Sequence, residues 1–194
     1  MDSNGLAKVA AVLADKTKGT QAVPLSREGA LPLYLPQVRG SLISWISFTN
    51  RPTDDFSGNL EWHKLTNSAA AMYKPGFGGA TTLLGSRYAA PVGATGKILA
   101  LGAGAALFAD GNLALALTNS FVLGLGSKVT NGGPSAMTLT FTPASGLFNG
   151  SITPVSTTKA QAFTGVVFQK STNGFGFLLG TNQSSSVLDR KSVV

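Results

Sequence analysis

The sequence has no cysteine and only one histidine in 194 residues. The first absence removes disulfides, zinc–thiolate sites, redox motifs and cysteine nucleophiles. The second makes any Ser-His-Asp machinery depend on His63 alone. Charge is scarce: Asp, Glu, Lys and Arg make up 12% of the chain. The basic residues are dispersed, and only Lys16/Lys18 and Arg190/Lys191 form tight groups. A nucleic-acid face needs clustered cations with interleaved aromatics. The net charge of +7 therefore reads as a solvated basic surface with no nucleic-acid partner. Long apolar runs are missing as well. Ile98 to Ala109 is rich in glycine and alanine and too short for a membrane span. Met1-Asp2-Ser3-Asn4 lacks a basic n-region and Lys8 interrupts Leu6 to Ala14, so no targeting segment is read. The expectation is a cytosolic protein or a piece of a longer secreted one.

What the chain does have is alternation. Hydrophobic residues make up 43% of it and glycines number 24, a profile of all-β proteins. Gly146 to Gly180 reads as three strands and two turns. Phe148, Gly150 and Ile152 alternate with Asn149, Ser151 and Thr153, the period of a sheet with one dry face. Val155 to Thr158 is the first expected turn, and Lys170 to Gly174 the second. Phe56, Gly58, Leu60 and Trp62 are expected to face inward, with Ser57, Asn59, Glu61 and His63 outward. In Gly40 to Phe48, Ile43 and Trp45 share one face, and Leu42, Ile46 and Phe48 the other. That pattern predicts burial on both faces, or an oligomer contact. Pro32 and Pro36 place Leu31 to Leu35 at an edge or bulge. Leu6 to Ala14 fits helix or strand, and its place in the pattern favours strand. Strands are further expected over Thr81 to Tyr88, within Ile98 to Phe108, and through Leu113, Leu115 and Leu117. Asp110-Gly111, Thr118-Asn119 and Asn131 to Pro134 read as turns.

These segments add up to an all-β fold, an antiparallel meander of about ten to fourteen short strands. A barrel-like sheet is favoured because a long meander must hide its edges; a sandwich is the alternative. FSGNL at Phe56 echoes FNGSI at Phe148, and Thr20 to Leu35 echoes Lys159 to Leu179, pointing to a divergent two-fold repeat. The expected organisation is a β half over 1–92 and another over 93–187, forming one compact domain, then a frayed tail over 188–194.

In order along the chain stand LADKT, PLSREG, LPLY, GSLISWISF, FSGNLEW and LGSRYAAP, then GLFNGSI, FTGVVFQK and GFGFLLGTNQS. Together they resemble a β-rich module found near the C-terminus of long secreted or surface proteins of planctomycete and verrucomicrobial type. The resemblance covers about Val9 to Val187. Lys16, Ser44 and Ser185 stand where that pattern leads to glycine. The resemblance implies an exported parent protein and carries no catalytic residues.

Read for chemistry, the residues offer little. His63 sits beside Glu61 on an outward strand face, and no G-x-S-x-G elbow is present. Asp54, Asp55 and Glu61 are the only local acidic group, and Asp54-Asp55 reads as a solvated loop. No metal site or cofactor is expected: Asp110-Gly111-Asn112 is a turn rather than a calcium loop, and the glycine runs at Gly102 and Gly124 lack P-loop spacing. Flat aromatics that stack on sugar faces are the sharpest positive signal. Trp45, Trp62, Tyr34, Tyr73 and Tyr88 are the candidates, although Trp62 falls on the face assigned to the core. The expected function is a non-catalytic structural or adhesion module of an exported protein, extracellular or at the cell surface. A carbohydrate-binding module with a glycan partner is the alternative, and a small hydrolase a distant third.

Overall fold

The structure, a computed structural model, describes residues 5–154 and 158–191, with the backbone alone for 189–191. It is all-β, without an α-helix among the described residues. It divides into two compact units, residues 1–86 and 87–194. The division falls after Ser86, ahead of the boundary between 92 and 93 that the sequence suggested.

In the first unit, β1 (Leu6–Val12) and β2 (Lys18–Pro24) form a hairpin. Strands β3 (Leu31–Gln37), β4 (Gly40–Phe48), β5 (Phe56–Lys64) and β6 (Phe77–Gly85) form a four-stranded antiparallel meander. Leu6 to Ala14 is thus a strand as far as Val12, as its place in the pattern favoured, and its last two residues open the turn. Leu31, Leu33 and Leu35 alternate inward from β3 and meet Leu42 and Ile46 of β4, with Ala7 of β1 in the same core. Pro32 and Pro36 lack the N–H of a ladder, and β3 is indeed the sheet's end strand. Its open edge is capped by one side chain. Gln21 Nε2 donates to the Pro32 carbonyl at 3.1 Å, and the Tyr34 N–H donates to Gln21 Oε1 at 2.8 Å. β6 starts at Phe77 rather than Thr81, because Gly78 and Gly79 pair with His63 and Trp62 in the ladder.

The β1–β2 turn rests on an ion pair. Asp15 Oδ1 accepts the Thr17 N–H at 2.9 Å, and its Oδ2 accepts from Lys64 Nζ at the end of β5. The Asp15 side chain is fully buried and that of Lys64 nearly so. Lys16 in the same turn has φ of +70°, the left-handed conformation that glycine adopts without strain. Ser44 and Ser185, two more positions where glycine was expected, are both buried with a hydroxyl that has no hydrogen-bond partner among the described residues. An orphaned hydroxyl costs free energy that a methyl group does not. Ser44→Ala is therefore expected to raise stability by about 1 kcal/mol, read as a higher urea midpoint at unchanged m. A lower midpoint would show that the hydroxyl is satisfied in solution.

In the second unit, β7 (Ala103–Ala109), β8 (Leu117–Leu123), β9 (Val129–Asn131), β10 (Ala136–Thr142), β11 (Leu147–Thr153), β12 (Gln161–Phe168), β13 (Asn173–Leu179) and β14 (Ser184–Lys191) form one sheet. Their order is β10-β11-β12-β13-β14-β7-β8-β9, so the two end strands are neighbours in sequence and the sheet is nearly closed into a barrel. The closure is made by Asn119, which is fully buried. Its Nδ2 donates to Asn131 Oδ1 at 2.6 Å, its Oδ1 accepts the Ser135 N–H at 3.0 Å, and Asn131 Nδ2 donates to the Ser135 carbonyl at 2.8 Å. The interior is filled by Phe108, Phe121, Phe141, Phe148 and Phe163 with aliphatic neighbours. A void of about 10 Å³ bordered by Phe141, Phe148 and Phe163 is too small for a ligand. The outer face is mixed: one row reads Thr140, Asn149, Thr164, Phe177 and Ser186, and the next reads Leu147, Val166, Phe175 and Leu188.

The echo between FSGNL and FNGSI has a physical counterpart. Phe56 lies opposite Phe48 on one side and Gly85 on the other; Phe148 lies opposite Phe141 and Gly165. In both, a Cβ on the glycine would strike the phenylalanine ring. Glycine makes room for a ring laid across the neighbouring strand, with a second ring centred 6.0 Å away in each case. The other echo does not hold: β12 pairs with β13, whereas β2 and β3 belong to separate sheets.

Several local expectations need correction. Ser184 to Lys191 is not frayed; it is a strand paired on both sides, by β13 and β7. Thr118 and Asn119 lie inside β8, because Asn119 spends its amide on the closure and not on a turn. The alternation through Leu113 and Leu115 is loop, with Leu115 exposed. Ile98, Leu99 and Leu101 are buried without ladder pairing: the Ile98 N–H bonds Ser127 Oγ at 2.8 Å and its carbonyl accepts from Gln169 Nε2 at 3.2 Å. Asp110 and Gly111 both have positive φ, as their turn chemistry predicts. The turn expected at Val155 to Thr158 falls largely outside the described residues, as do Ser192 to Val194.

Candidate functional site

The strand register puts the candidate aromatics in three places. In the first unit's four-stranded sheet, residues opposite one another share a face. One row of the outer face reads Tyr34, Ile43, Glu61, Ala80, and the next reads Pro32, Trp45, Asn59, Thr82. Tyr34 and Trp45 are therefore diagonal neighbours on adjacent strands. Trp45 is 60% exposed and Tyr34 52%. Burial on both faces of β4, expected from its apolar pattern, does not occur within the chain: Ile43 and Trp45 face outward and are exposed. Ile43 and Leu84 widen the apolar area, and Asn59, Glu61 and Thr82 provide exposed polar groups within it.

Trp62 and Tyr73 serve a different purpose. Trp62 points inward as its alternation predicted, and its Nε1–H donates to Gln37 Oε1 at 3.2 Å. Its ring meets Phe77 edge-on at 4.8 Å, and Tyr73 stands edge-on to Phe77 at 5.0 Å. The three rings seal one end of the inner face. Tyr88 belongs to the second unit. Its hydroxyl donates to the Pro143 carbonyl, and its ring covers Gly146, where a Cβ would come within 2.7 Å. Burial pushes its phenol pKa up from the ordinary value. None of these three presents a free ring face comparable to Trp45.

His63 Nε2 lies 3.7 Å from Glu61 Oε2, with both side chains more than half exposed. Ser41 is the cross-strand neighbour of His63, yet among the described residues no hydrogen bond joins them. Asp54 is held by Arg51 at 3.3 Å and by the Thr53 hydroxyl at 2.9 Å, so it is a buried structural acid and not the solvated loop carboxylate expected. Asp55 Oδ2 accepts from Ser86 Oγ at 3.3 Å. No group of three metal-ligating side chains occurs among the described residues. No described helix is long and apolar enough to cross a membrane.

Comparison with protein-family models, curated proteins and solved structures finds no match. The geometry of the outer sheet face is thus what bears on function. Sequence alternation alone pairs Ile43 with Trp45 and sets Tyr34 opposite Leu33 and Leu35. Joining Trp45 to Asn59 and Thr82 requires the register, which no single strand's pattern contains.

Proposed function

We propose that the chain is a non-catalytic adhesion module of an exported protein, and that it engages glycans through the outer face of the β3–β6 sheet. The observation that carries the reading is the exposure of Trp45 and Tyr34 on adjacent strands of one open face. An indole ring left in water on a sheet whose opposite face supplies the core is a costly use of a large apolar surface unless something stacks on it. Asn59, Glu61 and Thr82 lie beside the rings as hydrogen-bonding partners for sugar hydroxyls. The exported setting rests on the resemblance of the ordered motifs and on the glycine-rich all-β composition.

The test is retention on a glycan array and on insoluble polysaccharides. Trp45→Ala is expected to weaken binding by about 2 kcal/mol, roughly thirtyfold in Kd, with the fold unchanged by far-ultraviolet spectrum. Tyr34→Ala should weaken it less. A chain that binds no glycan, or binds equally well without the Trp45 ring, would leave only the structural role. Ile43 and Leu84 give a protein partner some support on the same face; competition by soluble sugar separates the two readings.

A further inference from the structure

A second surface of the first unit has the features of a strand-accepting groove. An apolar cavity of about 490 Å³ opens between β1 and the inner face of the sheet, in the size range of ligand sites. Its floor is Leu31, Ile46, Phe48 and Phe56. Its wall is four consecutive residues of β1, Ala7, Lys8, Val9 and Ala10. Successive side chains of a strand point to opposite faces, so four in a row can line one cavity only where the strand's backbone edge forms its wall.

The state of that edge follows from the register. The Leu13 N–H donates to the Thr17 carbonyl at 2.9 Å, which makes Leu13 and Thr17 a hydrogen-bonded pair. Hydrogen-bonded and non-bonded pairs alternate along an antiparallel ladder. Ala11, Val9 and Ala7 therefore bond to β2, opposite Gly19, Gln21 and Val23. Lys8, Ala10 and Val12 turn their N–H and C=O groups away from β2, and β1 has no other partner strand among the described residues. The companion edge on β3 is capped by Gln21, but among the described residues no side chain does this for Lys8 or Ala10. Lys8 is the one charged group lining the cavity and forms no ion pair among the described residues. The nearby carboxylates are engaged: Asp54 with Arg51 and Asp55 with Ser86.

We propose that the β1 edge and its groove bind an extended peptide segment of another protein, by strand addition. The segment bonds to the Lys8 and Ala10 main-chain groups, lays alternate apolar side chains over Ile46, Phe48 and Phe56, and sets an acidic residue against Lys8. The edge supplies sequence-tolerant hydrogen bonds, while the groove and the lysine supply the selection. A second copy of β1 fits less well, because it would set one lysine-bearing edge against another.

The test titrates the full chain with a capped peptide that alternates valine with glutamate and threonine, and follows amide hydrogen exchange. With peptide at about ten times Kd, the Lys8 and Ala10 amides should gain about tenfold protection. The Val9 and Ala11 amides, already bonded to β2, should change little. Lys8→Glu should weaken binding about fivefold, as should exchange of the peptide's glutamates for lysine. Phe48→Ser, at a ring already 52% exposed and so tolerable to folding, should weaken it about tenfold. The proposal is overturned by absence of binding, by binding that leaves the Lys8 and Ala10 amides unprotected, or by protection that grows with protein concentration in the absence of peptide. None of these outcomes touches the Trp45 face, so each surface is judged separately.

Discussion

Lys64→Met is expected to lower the stability of the first unit by about 3–5 kcal/mol, because it leaves the Asp15 carboxylate buried without its cation. The acid-side pH dependence should weaken with it. In the native protein, burial raises the Asp15 pKa, but the Lys64 hydrogen bond, the Thr17 N–H and the lysine charge outweigh it, and the net pKa lies below 3.8. A folded pKa below the unfolded value means that this stabilisation is fully present above pH 3.8 and is lost as pH falls through the folded pKa. In the variant both Lys64 contributions are gone while desolvation and the two Thr17 hydrogen bonds remain, so the folded pKa moves up from its native position. Less stability should then be lost as pH falls through the acid range. Both tryptophans lie in residues 1–86, so urea unfolding followed by tryptophan fluorescence reads this unit directly. Equal stability of the two proteins at neutral pH, or parallel pH curves, would mean that the pair is screened and contributes little.

Phe108→Ala should cost the second unit a similar 3–5 kcal/mol. Phe108 has no exposed surface and meets Phe163 edge-on at 5.2 Å, and the void on which Phe163 borders is only about 10 Å³. A closed sheet cannot collapse readily around a missing ring, because its diameter is fixed by strand number and stagger. The cavity should therefore persist, and amide exchange across β7, β8 and β12 should accelerate together. A cost near 1 kcal/mol would indicate that the sheet relaxes inward, and that closure through Asn119 is weaker than its buried hydrogen bonds suggest.

The all-β class and most inward and outward assignments could be read from residue alternation, since a period of two needs only near neighbours. Trp62 facing in and Asn59 facing out are examples. Three things were not legible. Asn119 looks like a turn former, and only the neighbouring Asn131 and Ser135 give its amide a buried use. Ser184 to Lys191 looks like a polar tail because Ser185, a small hydroxyl residue, occupies an inward position where an aliphatic would announce a strand. The Trp45 platform spans β3 to β6, so its membership depends on which strand lies beside which. Of the five aromatics singled out, Trp45 and Tyr34 reach solvent on one face, while Trp62, Tyr73 and Tyr88 are committed to packing.

The position of β14 between β13 and β7 has a consequence for biosynthesis. The barrel's final strand bridges its earliest one, so seven strands must wait in the cell with a gap in their ring until Ser184 to Lys191 has left the ribosome. The first unit has no such dependence and can mature while the remainder is still being translated. A nascent chain stalled before Ser184 would carry two bare sheet margins flanking exposed phenylalanines, the species on which a chaperone has most to do.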